Sequence, residues 1–597
     1  MAQPASSQDP LGDSAAPSAS LAAERKLGRG LTCAALALVL FKLWLVAAQP
    51  ISAVGHAQYD DRLFLELASS LLRGDWLGPY THLTLAKGPM YSIFIAAVFL
   101  TGVPLFTAQH LFYAAACGAL TRALRPLVPR RGVRFALFAV LLFNPITYDS
   151  VIHSRVLRQQ IQHSLAFLVI AGLIALYARR GGPKRRLFGW ALLTGLALPA
   201  FWMTREEGVW LLPCVGLFWF AAAVAVWRER APDRRARLTL LALPAPLWAA
   251  GLALVATLNF RHYGVFTTCE FNQPDFKAAF GALLRIEHQH WRPYLVVPRE
   301  VRERLYAVSP AFAELRGELE GPTGESWAGL TVSLTGLPAS EHEIAGGWFM
   351  WALRRAVADT GHAKSGAEAA AYYRRLAKEI NDACASGVLQ AGPPRAGFMP
   401  PWRSEYLPPL RESLQRTAWF FLTFDDIATA TLGRSEGSRE ELALFADLTR
   451  ERMIPPEGSP PIPPHQRWLD HVRLRVLEKI QNAYRHLALW AGGAALLAWL
   501  AAVGVALARR RWTYFGLVGA GLLGSCCAVF GIVALIDVTS FPALNTGYFS
   551  GLYGLWLLFW FVSGLALTEV LRPAGAGATP ASAPPPPPAS QTANSSG

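Results

Sequence analysis

Long apolar runs recur through almost the whole chain, and they constrain its fold more than any other feature. Of the 597 residues, 53% are hydrophobic and 16% are charged, and the mean hydropathy is +0.27. Soluble globular proteins seldom contain such runs, whereas a helix of about 20 apolar residues crosses a bilayer. We therefore predict an all-α polytopic membrane protein with about ten transmembrane helices, at residues 31–49, 108–124, 135–146, 161–177, 187–203, 209–227, 238–260, 487–508, 514–536 and 549–570.

The net charge of +15 comes largely from short basic loops between these runs. The loops are residues 122–134, 179–186, 228–237 and 509–511. Basic loops beside apolar spans hold a segment on the cytoplasmic side of the membrane. The positive charge therefore indicates membrane orientation, and it does not favour a nucleic-acid partner.

One further apolar stretch, residues 89–104, is short and is followed closely by the next run. If it crossed the membrane, the three longer basic loops would face outward. We therefore predict that it lies in the interface or dips back, which places residues 56–91 on the extracytoplasmic side.

These patterns divide the chain into five parts. We predict a disordered cytoplasmic leader (1–24), an N-terminal membrane domain (25–260) with a catalytic first outer loop (50–104), a mostly helical extracytoplasmic domain (261–485), C-terminal transmembrane helices (486–572) and a disordered Pro/Ala-rich tail (573–597). The extracytoplasmic domain contains Cys269 and Cys384. Their spacing alone leaves open whether they form a disulfide.

Residues 56–91 carry the pattern that most favours chemistry. Polar and apolar residues alternate at helical spacing after Asp60 and Asp61, which predicts an interfacial helix that ends at Gly74. An N-terminal cap explains one aspartate, because the helix N-terminus stabilises a carboxylate. Two adjacent carboxylates repel each other unless a cation is near, so we interpret at least one of them as chemical.

Other charged residues fall at predicted outer turns. They are Asp149, Arg155, Arg158, Arg205 and Glu206. Arg155 and Arg158 share a helix face and suit a phosphate clamp, although arginines that only reach lipid phosphates would look the same. An ion pair of Arg205 with Glu206 or Glu207 that merely joins two helices is the alternative at the second turn.

No metal site is predicted. Two clusters invite one, Glu287-His288-His290 and Glu341-His342-Glu343, but neither has the ligand spacing of an established site. A divalent metal stays open as a cofactor. A rival acidic pair, Asp425-Asp426, follows an aromatic run and has no evident link to the membrane surface.

Carboxylates beside cations at a membrane surface suit a reaction at a lipid-linked phosphate. A carboxylate would take a proton from an acceptor hydroxyl, and Lys or Arg would stabilise the departing phosphate. The pattern Tyr59-Asp60-Asp61, followed by Lys87-Gly88-Pro89-Met90-Tyr91, resembles the GT-C superfamily of polyprenyl-phosphate-sugar glycosyltransferases. It is most similar to the branch with the protein O-mannosyltransferases and the aminoarabinose transferase of lipid A.

The resemblance implies that Asp60 or Asp61 is the catalytic base and that Lys87 lies near the lipid phosphate. The predicted substrate-binding residues are Lys87, Tyr91, Asp149, Arg155, Arg158, Arg205 and Glu206. The turn lacks one proline of the family's pattern, and the large outer domain matches nothing in it.

From these residues and this resemblance we predict a glycosyltransferase with a GT-C-like helical bundle in the cell inner membrane. It would move a sugar from a polyprenyl-phosphate donor to a glycan, lipid or protein acceptor. A transporter or flippase, or an envelope assembly protein that binds through its large domain, is the alternative. The former class usually shows internal repeats, and none is clear here.

Overall fold

The computed structural model describes residues 16–229, 233–288, 291–429, 433–460 and 463–572. In these residues the predicted all-α class is confirmed. The first eleven helices are α1 (Ala16–Val46), α2 (Asp61–Arg73), α3 (Met90–Thr101), α4 (Leu105–Ala123), α5 (Arg131–Leu142), α6 (Ser150–His153), α7 (Gln159–Ala178), α8 (Lys184–Trp202), α9 (Leu212–Arg228), α10 (Arg234–Ala242) and α11 (Pro244–Tyr263). The rest are α12 (Pro274–Leu284), α13 (Arg299–Val308), α14 (Pro310–Glu314), α15 (Arg316–Leu319), α16 (Pro322–Thr335), α17 (Gly346–Asp359), α18 (Gly366–Ala385), α19 (Leu407–Leu422), α20 (Arg439–Thr449), α21 (Pro464–Ala508), α22 (Tyr514–Thr539) and α23 (Thr546–Leu571).

Seven helical segments of the described chain are long and apolar enough to cross a membrane. They are Lys26–Val46, Gln159–Ala178, Gly208–Arg228, Arg234–Tyr263, Pro464–Ala508, Tyr514–Thr539 and Thr546–Leu571. The count becomes eight if α3 and α4, which meet at 107°, form one broken span. The protein is thus a polytopic helical membrane protein, while the number ten remains a prediction. The predicted spans 135–146 and 187–203 fall on α5 and α8, which are not among these seven segments. Helix α5 has 12 residues, and α8 begins with three basic residues.

The bend between α3 and α4 falls at residues 102–104. Gly102 adopts a left-handed conformation with φ of +76°, and Pro104 precedes α4. A left-handed residue followed by a proline ends a helix sharply. The apolar stretch 89–104 therefore does not run straight into the next span.

The basic loops predicted to share one side of the membrane lie together. Arg179 donates to the carbonyl oxygens of Arg122 and Ala123, at 2.6 and 2.8 Å. Arg237 donates to the carbonyl oxygen of Gly182, at 2.9 Å. These contacts gather the loops at one end of the bundle, where α7 ends.

At the other end, residues 56–91 lie between the bundle and the large domain. Phe64, Leu65 and Tyr91 belong to the core of the membrane helices, in which α7 is deeply buried. Ala86 belongs to the separate core of the large domain, and Tyr59 packs against that core. The first loop is therefore held from both sides.

The large domain divides differently from the prediction. Helices α12–α18 enclose their own core, but α19 packs against α22, and Phe421 contacts Phe530 with ring centroids 5.3 Å apart. The predicted boundary at 485/486 lies inside α21, which runs unbroken for 45 residues. The helix continues because residues 465–486 contain no Gly or Pro that would interrupt it.

One further expectation needs correction. Helix α1 begins at Ala16, inside the stretch 1–24 that was predicted to be disordered, because alanine-rich sequence favours a helix. Residues 1–15 and the predicted tail 573–597 lie outside the described residues. Cys269 and Cys384 are both free, so they do not form a disulfide in this structure.

Candidate active site

Helix α2 positions the two aspartates at its first turn. Its apolar face packs into the bundle, and Gly74 ends it in a left-handed conformation, with φ of +86°, as predicted. Asp60 occupies the N-cap position, but its carboxylate does not cap the helix. Capping therefore does not explain Asp60, and its side chain is available for another contact.

That contact is an ion pair of the Asp60 carboxylate with the Lys87 ammonium group. The Asp60 side chain is 48% exposed, whereas that of Lys87 is 7% exposed. Burial raises the pKa of Asp60, but the charges of Lys87, Arg158 and Arg155 outweigh it, so the pKa lies below its usual value. Burial lowers the pKa of Lys87, and Asp60 opposes this effect. The site thus presents a reachable carboxylate beside a sequestered cation.

Asp61 faces a different environment, although it is the next residue. Its side chain is fully buried and binds Arg155 through two hydrogen bonds, Nε to Oδ1 at 3.2 Å and Nη2 to Oδ2 at 2.5 Å. The Val156 N–H donates to the same Oδ1 at 3.0 Å. These donors occupy the carboxylate, so Asp61 fixes Arg155 and the start of α7.

Arg158 and Glu206 form a partly buried ion pair beside Lys87. Nη1 of Arg158 lies 2.8 and 2.7 Å from the two carboxylate oxygens of Glu206. The Gly88 N–H donates to Glu206 at 3.0 Å, which ties the Lys87 turn to this pair. A side chain at position 88 would clash with the Met203 carbonyl group. The turn therefore requires glycine for close backbone approach.

Arg205 lies at the rim of the same cluster. It pairs with Glu207 at 3.2 Å, donates to the Gly547 carbonyl oxygen at 2.9 Å and lies 5.4 Å from the Tyr548 ring centroid. Burial alone would raise the pKa of Glu207. The positive charges of Arg205 and Arg158 outweigh this effect and lower the pKa to about 2. Of the two partners considered for Arg205, Glu207 forms the ion pair, whereas Glu206 pairs with Arg158.

Two predicted substrate-binding residues make their hydrogen bonds with residues outside this cluster. The Tyr91 side chain is fully buried, packs on Phe64, and accepts a hydrogen bond from Gln109 at 2.8 Å. Asp149 is also fully buried and accepts hydrogen bonds from Ala428 and Thr546. Tyr91 thereby joins α3 to α4, and Asp149 joins the bundle to residues 427–429.

The large domain contributes residues that sequence reasoning missed. Arg354 of α17 donates to the His82 carbonyl oxygen at 3.0 and 2.5 Å and pairs with Glu270 at 2.7 Å. The Glu270 N–H donates to the Leu85 carbonyl oxygen at 2.7 Å, and the Trp351 ring centroid lies 5.8 Å from the Lys87 nitrogen.

We call Glu270, Trp351 and Arg354 the domain clamp, since they hold the segment that ends at Lys87. No local pattern marks these residues, because they lie more than 180 residues from the loop they touch.

The described residues contain no group of three or more His, Cys, Asp or Glu side chains arranged to hold a metal ion. In the two clusters considered from the sequence, Glu341 pairs with Arg292 and Glu343 with Arg302, and His290 lies outside the described residues. Of the rival acidic pair, Asp425 lies 3.3 Å from Arg485, away from Lys87.

No protein-family model matches the chain, and no curated protein matches it in sequence. Among solved structures it is similar to ArnT from Cupriavidus metallidurans in the apo state, with 16% sequence identity. The similarity covers 86% of this chain and 77% of that chain, with a TM-score of 0.28. At that score the similarity carries no argument for fold or function.

Proposed function

We propose that the protein is an integral-membrane glycosyltransferase of the GT-C type. It would transfer a sugar from a polyprenyl-phosphate donor to an acceptor hydroxyl, on the extracytoplasmic side of the cell inner membrane. The observation that carries this proposal is the Asp60–Lys87 pair, in which a half-exposed carboxylate meets a buried ammonium group beside Arg155 and Arg158.

In the proposed reaction, the acceptor oxygen attacks the anomeric carbon of the donor sugar. The bond from that carbon to the phosphate oxygen breaks as the new glycosidic bond forms. Asp60 takes the acceptor proton, and the polyprenyl phosphate leaves as an anion. General-base catalysis of this kind typically contributes about 10²–10⁴ in rate.

Lys87 links the two halves of this reaction. Its ammonium group lowers the pKa of Asp60 in the free protein, which makes the carboxylate a weak base. A donor phosphate that draws Lys87 away would remove this charge and bring a negative charge nearby, and both changes would raise the pKa of Asp60. Donor binding would thereby strengthen the base, while Lys87, Arg155 and Arg158 stabilise the phosphate.

The two aspartates take different roles in this proposal. Asp60 is the catalytic base because an acceptor can reach it. Asp61 is a positioning residue, since its oxygens are occupied by Arg155 and Val156.

The test uses purified protein in nanodiscs with radiolabelled polyprenyl-phosphate hexose and pentose donors. Membranes from cells that lack the protein supply the acceptors. Wild-type protein should move label to a new product, and Asp60→Asn should lower the rate by about 10²-fold or more. Asp75→Asn is the matched control, because Asp75 is exposed in the same loop. Equal rates for Asp60→Asn and wild type would reject the role of Asp60, and no transfer by wild-type protein from any donor would favour a binding or transport protein.

A further inference from the structure

A pocket lies away from the candidate active site, between residues 427–429 and the polar half of α21. Its volume is about 400 Å³, within the range of about 300–1,000 Å³ that is usual for ligand pockets. The α21 side of its lining includes His471, Arg475, Gln481 and Arg485. The amide of Gln481 donates to the Ile427 carbonyl oxygen and fixes the two walls relative to each other.

The composition of α21 shows where this pocket lies relative to the membrane. From Leu487 onward the helix is apolar, and large side chains stand exposed, with Leu487 at 59%, Trp490 at 82% and Leu497 at 69%. Such residues on a spanning helix face lipid, and a tryptophan near the end marks the interface. Arg485 precedes Leu487 by two residues, so the lower end of the pocket lies at the level of lipid head groups.

The charges that line the pocket are mainly positive. Arg475 is exposed and makes no ion pair with any described residue. Arg485 lies 3.3 Å from Asp425, but both side chains are more than 40% exposed, so a stronger anion can compete for the guanidinium group. Glu478 is the acidic residue in the lining.

Arg475 and Arg485 lie on one face of α21, about 15 Å apart along its axis. The pocket therefore extends upward from the bilayer surface, and its length exceeds a single phosphate. Arginine offers paired donors that match phosphate oxygens. A head group with one phosphate at Arg485 and further polar groups near Arg475 fits this arrangement.

We propose that this pocket binds the phosphate-bearing head group of an anionic membrane lipid. The proposal does not rest on the proposed transfer reaction. One wall of the pocket does adjoin the bundle, because Ala428 exchanges hydrogen bonds with Asp149 and Ser150. The wall formed by residues 427–429 is thus hydrogen-bonded to the segment that leads into Arg155 and Arg158.

The test measures lipid retention by native mass spectrometry of the full-length protein, titrated with phosphatidylglycerol or phosphatidylcholine. Wild-type protein should retain phosphatidylglycerol in preference. Arg475→Ala and Arg485→Ala should each weaken that retention about fivefold. Lys479→Ala is the matched control, since Lys479 is exposed on the same helix and lies outside the pocket lining.

Three results would overturn the proposal. The first is equal retention of phosphatidylglycerol and phosphatidylcholine, and the second is a loss of phosphatidylglycerol retention in Lys479→Ala equal to that in the arginine variants. The third is displacement of the lipid by millimolar inorganic phosphate that itself binds the protein, because this would show a site for free phosphate. Because Arg475 has no ion pair to lose, Arg475→Ala keeps the test decisive even if Arg485→Ala fails to fold.

Discussion

Asp60 and Asp61 are the same residue type at adjacent positions, yet their surroundings differ completely. Asp60 is half exposed and contacts one cation, whereas Asp61 is fully buried and holds a bidentate arginine. Sequence reasoning finds the pair because two carboxylates need a cation nearby. It cannot assign their roles, because the partners Lys87 and Arg155 lie 27 and 94 residues away.

The two positions should therefore respond differently to the same substitution. Asp61→Asn removes a buried charge and leaves Arg155 without its anion, which should destabilise the protein by about 3 kcal/mol. Asp60→Asn keeps an amide oxygen for Lys87 at a half-exposed position, and it should cost about 1 kcal/mol. Melting temperatures of the two variants in the same detergent test this order. A larger drop for Asp60→Asn would show that the assignment of roles is wrong.

At the scale of elements, the domain clamp has no signature in the sequence. The sequence left the role of the large domain open, and the structure shows that its helix α17 holds the segment from His82 to Lys87. Periodicity did identify α2 and its end at Gly74, since that signal is local. Contacts between distant elements leave no such local signal.

Loss of the clamp should loosen this segment. Arg354→Ala removes the hydrogen bonds to His82 and the ion pair with Glu270, so amide hydrogen exchange across residues 80–90 should become faster. Arg374→Ala is the control, because its ion pair with Asp275 lies on the surface of the same domain. Unchanged exchange in Arg354→Ala would mean that the membrane helices alone hold the loop.

Glu451 caps the start of α4 from the large domain. It accepts the Phe106 N–H at 2.6 Å, and burial raises its pKa to about 7. An acid with a raised pKa binds a proton more tightly in the folded state, so folding stability falls as pH rises from about 4.5 through 7.

Glu451→Gln should remove this contribution, up to about 3 kcal/mol across that interval. Melting temperatures between pH 5 and 8 should therefore fall less for the variant than for wild type. Identical slopes would contradict the assigned pKa.

At the scale of the whole molecule, apolar runs and basic loops were sufficient to predict a polytopic helical protein, and the basic loops do meet at one end. Span number was harder to predict, because α5 is short and α3 and α4 meet at a sharp bend. Helix α19 could not be assigned to the bundle from sequence, since its partner α22 lies more than 90 residues later.

The positive loops predict the sidedness of the molecule, which labelling can test. We expect Lys378→Cys, in the large domain, to react with a membrane-impermeant maleimide in intact spheroplasts, and Arg185→Cys to react only after lysis. Lys378 is 76% exposed, so the site itself does not limit the reaction. If Arg185→Cys were labelled before lysis and Lys378→Cys were not, the orientation would be the reverse of the predicted one, and the Asp60–Lys87 pair would face the cytoplasm.

The most direct test of the central claim is the structure of the protein in nanodiscs with a polyprenyl-phosphate-sugar donor and no acceptor. We predict that the donor phosphate lies within hydrogen-bond distance of Lys87 and beside Arg155 or Arg158, with the anomeric carbon facing Asp60. A donor bound elsewhere, with Lys87 still paired to Asp60, would contradict the proposed function.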